Sequence, residues 1–171
     1  DVLNLIITAR LRPVRLIWFG AGQNRIALFA ALANLERLVS NGHEITLTIC
    51  DDHPEQEWPV SDRVQMYYTR WNLERENEII AGHDIALLPP YPGPWGRVKS
   101  NNKMLTAWAC GLPTTDGQDY EYLEELVTMW ELRMVVADAK LEEMDDIDVR
   151  KSAREWENLL CSPAGTTEAD E

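Results

Sequence analysis

Short apolar runs alternate with longer stretches of helical periodicity along most of the chain. Apolar or alternating runs predict strands at 14–20, 44–50, 64–69, 84–88 and 134–137, and a further short strand that ends at Thr115. Helix formers or apolar residues at helical spacing predict helices at 23–38, 72–81, 100–110, 120–128 and 149–160. The chain therefore has a repeated strand-helix order.

Strands that alternate with helices of this length need crossover connections and form a parallel sheet that is covered on both faces. The pattern predicts an α/β fold, a three-layer, Rossmann-like, doubly wound parallel sheet. Ligands of such sheets bind beyond the carboxyl ends of the strands. We therefore expect the loops after Gly20, Leu88 and Thr115 to share one crevice.

The length of 171 residues and an apolar content of 45% suffice for one domain with a full core. We expect this domain at 14–161, preceded by a linker or N-terminal stub at 1–13. The polar and acidic composition of 162–171 predicts a disordered tail.

Charge and composition exclude several classes of partner. A net charge of -13 repels nucleic acid and anionic membranes, so we expect neither as a partner. No apolar run approaches the roughly 20 residues that a membrane span needs. Three cysteines form neither a disulfide framework nor a zinc pattern, which favours a reducing cytoplasm. The dispersed His43, His53 and His83 are expected at the surface, without a metal.

The densest candidate site is the run from Lys99 to Lys103 at the predicted start of a helix. Free backbone N–H groups and the positive end of the helix dipole favour an anion there. Lys99 and Lys103 add charge, Ser100 suits the N-cap, and Asn101 can donate to phosphate or sugar oxygens. The alternative is an ordinary capped helix with solvated lysines.

The turn after the first strand resembles a dinucleotide fingerprint, with Gly20 and Gly22 before a helix. The third glycine is missing, and Arg25 would hinder close packing of the helix on the strand. Asp51 also lies beyond the usual ~20 residues from this turn. A nicotinamide-dependent oxidoreductase stays an alternative, but a tight turn with close phosphate approach at Gly20 is favoured.

Aromatic residues in loops are candidates for ligand stacking. Trp71 and Trp95 follow predicted strands, and Tyr91 begins a turn rich in proline and glycine. A flat ring at these positions could stack on a base or a sugar. Other tryptophans fall inside predicted elements and are expected in the core, namely Trp18, Trp108, Trp130 and Trp156.

Two segments carry a family resemblance: Asp84-Ile-Ala-Leu-Leu-Pro-Pro-Tyr-Pro, and the run from Lys99-Ser-Asn-Asn-Lys to Gly111-Leu-Pro113. Together they resemble the C-terminal, donor-binding domain of group 1 GT-B glycosyltransferases, in which a helix often opens K-S-x-x-K. The family run A-x-x-x-G-x-P is matched by Ala107, Gly111 and Pro113. Weaker matches are Trp18-Phe19-Gly20 with Asn24 and the helix at 119–127, so the resemblance covers 14–160.

The resemblance implies one half of a GT-B fold that binds a nucleotide diphosphate-sugar, such as a UDP- or GDP-sugar, as donor substrate. The sugar would pass to an unidentified acceptor, as in polysaccharide biosynthesis, without a cofactor or metal. An N-terminal domain in the same or another chain would hold the acceptor, so this domain alone is expected to be inactive. The implied donor contacts are Lys99, Ser100, Asn101, Lys103 and Gly20.

The sequence departs from the family at two acidic positions. Retaining members carry two glutamates eight positions apart, and Val98 and Thr106 stand there in this chain. No catalytic residue or general base is predicted for this reason. The departure leaves a second hypothesis, a catalytically inactive Rossmann-like α/β domain that acts as a partner-binding module.

Overall fold

A computed structural model describes residues 12–54, 61–97 and 102–144. Within these ranges five strands form one sheet in the order β3-β2-β1-β4-β5. They are β1 Val14–Phe19, β2 Ile45–Asp51, β3 Gln65–Arg70, β4 Ile85–Leu87 and β5 Thr114–Thr115. Every pairing is parallel. The predicted Rossmann-like parallel sheet is confirmed.

Helices connect and cover the strands. They are α1 Phe29–Ser40, α2 Glu76–Ala81, α3 Asn102–Ala109, α4 Tyr120–Thr128 and α5 Trp130–Met144, with short 3-10 helices at Gly22–Leu28 and Pro94–Arg97. The prediction of one α-helix over 23–38 was therefore wrong in its first part. Ala21 precedes the 3-10 segment and offers no side-chain cap. Tighter 3-10 turns are frequent at such helix starts.

The central strand β1 is buried on both faces, and its side chains alternate between two apolar clusters. Leu16 and Trp18 pack in a cluster with residues of α1 and α4. Ile17 and Phe19 pack in a second cluster with residues of α2 and α3. Because successive side chains of a strand point to opposite faces, this alternation establishes three layers.

The predicted strand at 134–137 was wrong, because these residues lie within α5. Met134 and Val135 are exposed to 55% and 65%, and only Ala137 of this segment is buried. A sheet-core strand would bury such residues, whereas the flanking helix formers extend the helix to 15 residues. α5 packs against α3 and α4 instead of extending the sheet.

The other predicted elements stand as follows. Observed counterparts exist for the predicted strands at 14–20, 44–50, 64–69 and 84–88 and for the strand that ends at Thr115. They also exist for the predicted helices at 72–81, 100–110 and 120–128. The predicted helix at 149–160 and the predicted tail lie outside the described residues. No helix within the described ranges is long and apolar enough to cross a membrane.

An ion-pair cluster ties the segment before β1 to the start of β4. The two terminal nitrogens of Arg12 donate to the Asp84 carboxylate over 2.8 and 2.6 Å, and the Arg15 amide donates to it over 2.8 Å. Burial acts to raise the pKa of Asp84, but the hydrogen bonds from Arg12 and Arg15 outweigh it and leave the pKa below its usual value. Asp84 is therefore a charged anchor near the sheet.

His83 differs from the expected surface histidine, because it is half-buried and bridges α2 to β2. Its Nδ1 lies 2.8 Å from the Ile79 carbonyl oxygen, and its Nε2 lies 2.8 Å from Thr48 Oγ1. A carbonyl only accepts, so Nδ1 carries the proton and neutral Nε2 accepts from Thr48. Burial lowers the pKa of His83 below 6.5.

We expect this neutral His83 to make folding pH-dependent. The unfolded chain binds the proton more readily, so the contribution is complete above the ordinary pKa of 6.5. It is lost as the pH falls through the lower pKa of the folded state. Urea denaturation between pH 7.5 and 5 should show a shallower loss of unfolding free energy in His83→Gln than in the wild type. Identical slopes in the two proteins would contradict the assignment.

Candidate functional site

A cleft of about 780 Å³ opens at the carboxyl ends of β1, β4 and β5. Ala21 lines it from the loop after β1, Pro89 from the loop after β4, and Asp116 from the loop after β5. The parallel pairing of β1 with β4 and of β4 with β5 brings these ends together. The three loops thus share one crevice, as the sequence predicted.

The loop after β5 is held in place by close packing on α1. Gly117 has a φ of +73°, and an added Cβ would lie 2.6 Å from the Ala31 Cβ and 2.6 Å from Leu87 Cδ1. The Asn34 amide nitrogen donates to the Gly117 and Gln118 carbonyls over 2.9 Å each. Only glycine fits this approach, and it fixes the wall of the cleft that carries Asp116.

Lys103 brings a positive charge into the cleft from the first turn of α3. Its ammonium nitrogen lies 4.8 Å from the centroid of the Trp18 ring, within cation–π range. The same side chain passes over Gly20, where an added Cβ would lie 2.5 Å from the lysine Cε. Lys103 and Gly20, two of the predicted donor contacts, are therefore neighbours in the structure.

The other predicted contacts are distributed differently. Lys99, Ser100 and Asn101 lie outside the described residues. Tyr91 lines the cleft. Trp95 belongs to the 3-10 helix Pro94–Arg97, and its side chain lies outside the description.

Trp71 lies just after the edge strand β3, away from the lining of this cleft. Its side chain is exposed to 38%, and its backbone N–H donates to the Asp51 carbonyl over 2.7 Å. The structure therefore does not bring Trp71 together with Lys103. Its predicted base or sugar contact would need a ligand that extends from the cleft to the far edge of the sheet.

Several polar residues of the cleft were not singled out as ligand contacts from the sequence. Asn24 lines it beside the first turn, and Thr115 and Asp116 line it at the end of β5. The Asp116 carboxylate accepts from the Gln118 backbone N–H over 2.8 Å. A sequence signal existed for Thr115 and Asp116, because polar residues at the carboxyl end of a strand in a parallel sheet lie at its ligand edge.

A buried ion pair closes the neighbouring part of the same sheet edge. Arg25 is 2% exposed and Asp51 is fully buried. The Arg25 Nε and a terminal nitrogen donate to the two Asp51 oxygens over 2.5 and 2.6 Å. Arg25 also donates to the His53 carbonyl, and the Tyr68 hydroxyl donates to the Asp51 carbonyl over 2.8 Å.

This arrangement argues against the oxidoreductase alternative. A nicotinamide site would use the acid at the end of the second strand to bind a ribose hydroxyl. In this chain Arg25 occupies both oxygens of that acid, Asp51, and the carboxylate is buried. Arg25 therefore serves a structural ion pair at the point where the fingerprint needs a small residue.

The described residues offer neither a metal cluster nor an activated thiol. Among them, no group of three or more histidine, cysteine or acidic side chains could hold a metal ion. Burial, reinforced by the nearby Glu76 and Asp51, raises the pKa of Cys50 to about 11. Cys50 is therefore a neutral thiol at physiological pH, which is a poor nucleophile.

Comparison with solved structures supports the fold. The chain is similar to a crystal structure of WaaG, a glycosyltransferase involved in lipopolysaccharide biosynthesis, with a TM-score of 0.63 and 15% sequence identity. The match covers 95% of this chain and 50% of that one, so the chain spans about half the length of this neighbour. No protein-family model and no curated protein matches the sequence. The fold is therefore glycosyltransferase-like at the level of backbone architecture.

We expect the Arg25–Asp51 pair to be critical for folding. Asp51→Asn leaves the Arg25 guanidinium buried without its counter-charge and should cost about 3–5 kcal/mol of unfolding free energy. The double variant Arg25→Met/Asp51→Leu removes both charges and should recover a large part of that loss. Urea denaturation of the variants measures these differences.

The exposed pair of Arg75 and Glu78, 3.1 Å apart, provides the matched control. Glu78→Gln removes a carboxylate from a solvated pair and should hardly change the unfolding free energy. If Asp51→Asn is as mild as Glu78→Gln, the buried pair does not have the assigned role.

Proposed function

We propose that this chain is the donor-binding domain of a glycosyltransferase and binds a nucleotide diphosphate-sugar in the cleft at β1, β4 and β5. The observation that carries the proposal is Lys103, a cation in a cleft at the ligand edge of a glycosyltransferase-like sheet. The sequence run from Lys99 to Pro113 adds independent support, because it resembles the donor-binding motif of group 1 GT-B enzymes.

The chemistry of sugar transfer explains why a lysine is suitable at this position. A nucleotide diphosphate gains negative charge on its phosphate oxygens as the bond to the sugar breaks. A cation that already points into the cleft stabilises that charge without reorganisation. The lining beside Lys103 includes Trp18, Leu88 and Pro89, and such apolar walls strengthen the attraction relative to water.

The polar lining of the cleft suits the rest of the donor. Asn24 and Thr115 offer amide and hydroxyl groups, and Asp116 offers carboxylate oxygens that accept from sugar or ribose hydroxyls. Tyr91 supplies a ring for the base or the sugar. Lys99, Ser100, Asn101 and Gly20 belong to the same proposal as phosphate or sugar contacts.

The acceptor belongs to a second part of the proposal. The chain spans about half of the similar glycosyltransferase structure. We therefore assign the acceptor to a separate N-terminal domain, in the same or another chain, that faces the cleft. This domain alone would bind the donor without transferring the sugar.

One observation favours a non-catalytic relative as the second candidate. Thr106 stands where retaining members of the resembled family carry a glutamate, and its hydroxyl donates to the Asn102 carbonyl over 2.9 Å. A hydroxyl engaged within its own helix is a poor substitute for a carboxylate. Such a domain would keep the fold and bind a partner protein.

The test is calorimetric titration of the chain with UDP, GDP and ADP, repeated on Lys99→Ala/Lys103→Ala. We expect saturable binding by at least one diphosphate. The double variant should lose about tenfold to a hundredfold in affinity, because a charge-assisted phosphate contact contributes about 1.5–3 kcal/mol.

Lys140→Ala is the matched control for the loss of a lysine. The Lys140 ammonium also lies over a tryptophan ring, 5.1 Å from the centroid of Trp108, but Lys140 does not line the cleft. The affinity of the Lys140→Ala variant for the diphosphate should equal that of the wild type. Absence of binding by a folded wild-type chain, or equal losses in both variants, would contradict the proposed donor site and favour the non-catalytic candidate.

A further inference from the structure

We propose that Trp18 and Gly20 form a seat that positions the Lys103 ammonium for the donor phosphates. The lysine seat is defined by the ring face of Trp18 and the backbone of Gly20, both on or next to β1. The inference rests on the proposed function. It assigns a positioning role to Trp18, and it gives Gly20 a positioning role in addition to its predicted contact with the donor.

The Trp18 ring is a fixed support. Its side chain is 1% exposed and belongs to the apolar cluster between the sheet and helices α1 and α4. Its strand is paired on both sides, with Trp18 opposite Ile49 of β2. A ring held in this way cannot follow the lysine, so the lysine must adapt to the ring.

Lys103 reaches this ring from the opposite layer. Its helix α3 packs through Ala107 into the cluster on the other face of the sheet. The side chain therefore crosses the carboxyl end of β1 before its nitrogen arrives 4.8 Å from the Trp18 ring centroid. The crossing point is Gly20.

Gly20 makes the crossing possible because it has no side chain. An added Cβ would lie 2.5 Å from the Lys103 Cε and closer still to its nitrogen. The Gly20 amide donates to the Cys50 carbonyl over 3.1 Å, which holds this backbone in place. The glycine has a φ of +147°, where other residues are strained.

The seat has a specific electrostatic advantage. A lysine has several rotatable bonds, and fixing its side chain costs conformational entropy. Because the seat orders the side chain before the donor arrives, donor binding does not carry this cost. The negative face of the indole attracts the ammonium and adds no counter-charge of its own.

The first test is a double-mutant cycle between Trp18 and Lys103, with UDP and GDP titrated into the full chain. Trp18→Leu should weaken diphosphate binding about threefold to thirtyfold, and Trp18→Phe, which keeps a ring face, should lose less. In the Lys103→Ala background, Trp18→Leu should cause almost no further loss. An equal loss in both backgrounds would overturn the inference, because Trp18 would then act independently of Lys103.

The second test uses glycine and does not require removal of a core residue. Gly20→Ala should displace the Lys103 side chain and weaken diphosphate binding by about threefold or more, and in the Lys103→Ala background the same change should cause a much smaller loss. Gly42→Ala is the matched control, because Gly42 has a φ of +91° and nothing lies within 4 Å of an added Cβ. Both variants strain the backbone, but only the first displaces the lysine. Equal affinities of Gly20→Ala and Gly42→Ala would overturn the inference.

An NMR measurement separates the seat from the proposed function. Without any nucleotide, the ε-methylene protons of Lys103 should show an upfield ring-current shift that disappears in Trp18→Leu. If this shift is present but the wild type binds no diphosphate, the proposed function fails and the positioning role fails with it. If the wild type binds diphosphate but the shift is absent, the inference fails and the proposed function stands.

Discussion

The parallel pairing of β1 with both β2 and β4 is the constraint on which the rest of the structure depends. The order β3-β2-β1-β4-β5 places β1 at the point where the chain reverses its direction of travel across the sheet. Connections on the two sides of such a point leave in opposite directions, which opens a crevice between them. The cleft lies there because of topology, and the residues after β1, β4 and β5 decide only its chemistry.

The buried Arg25–Asp51 pair fills the sheet edge at the end of β2, so the crevice is open at the ends of β1, β4 and β5. Two charges are almost completely removed from water, which is tolerated only because both Asp51 oxygens accept from Arg25. The pair closes the end of β2 and separates Trp71 at the far edge from Lys103. The acid that a dinucleotide fingerprint would use at this position is thereby occupied, and the open cleft lies at the ends of β1, β4 and β5.

Sequence patterns predicted the features that depend on local order and failed where distant residues decide. The alternation of strand and helix patterns was enough to predict the sheet and the three loops of the crevice. The segment 134–137 reads as a strand by composition, but packing of α5 on α3 and α4 makes it helical. Trp18 was correctly predicted in the core, yet its contact with Lys103 joins residues from opposite layers of the sheet. No local pattern encodes such a contact.

The overall charge of the chain gives the position of Lys103 its significance. A protein of net charge -13 repels a dianionic ligand at long range, but salt screens exposed charges beyond about 8 Å at physiological ionic strength. The local charge of the cleft therefore decides binding. Contact with an aromatic ring leaves the charge of a lysine in place, because the ring carries no net charge. The ring face of Trp18 beside the Lys103 ammonium therefore supports this cation without weakening the attraction that the proposed site offers to phosphate.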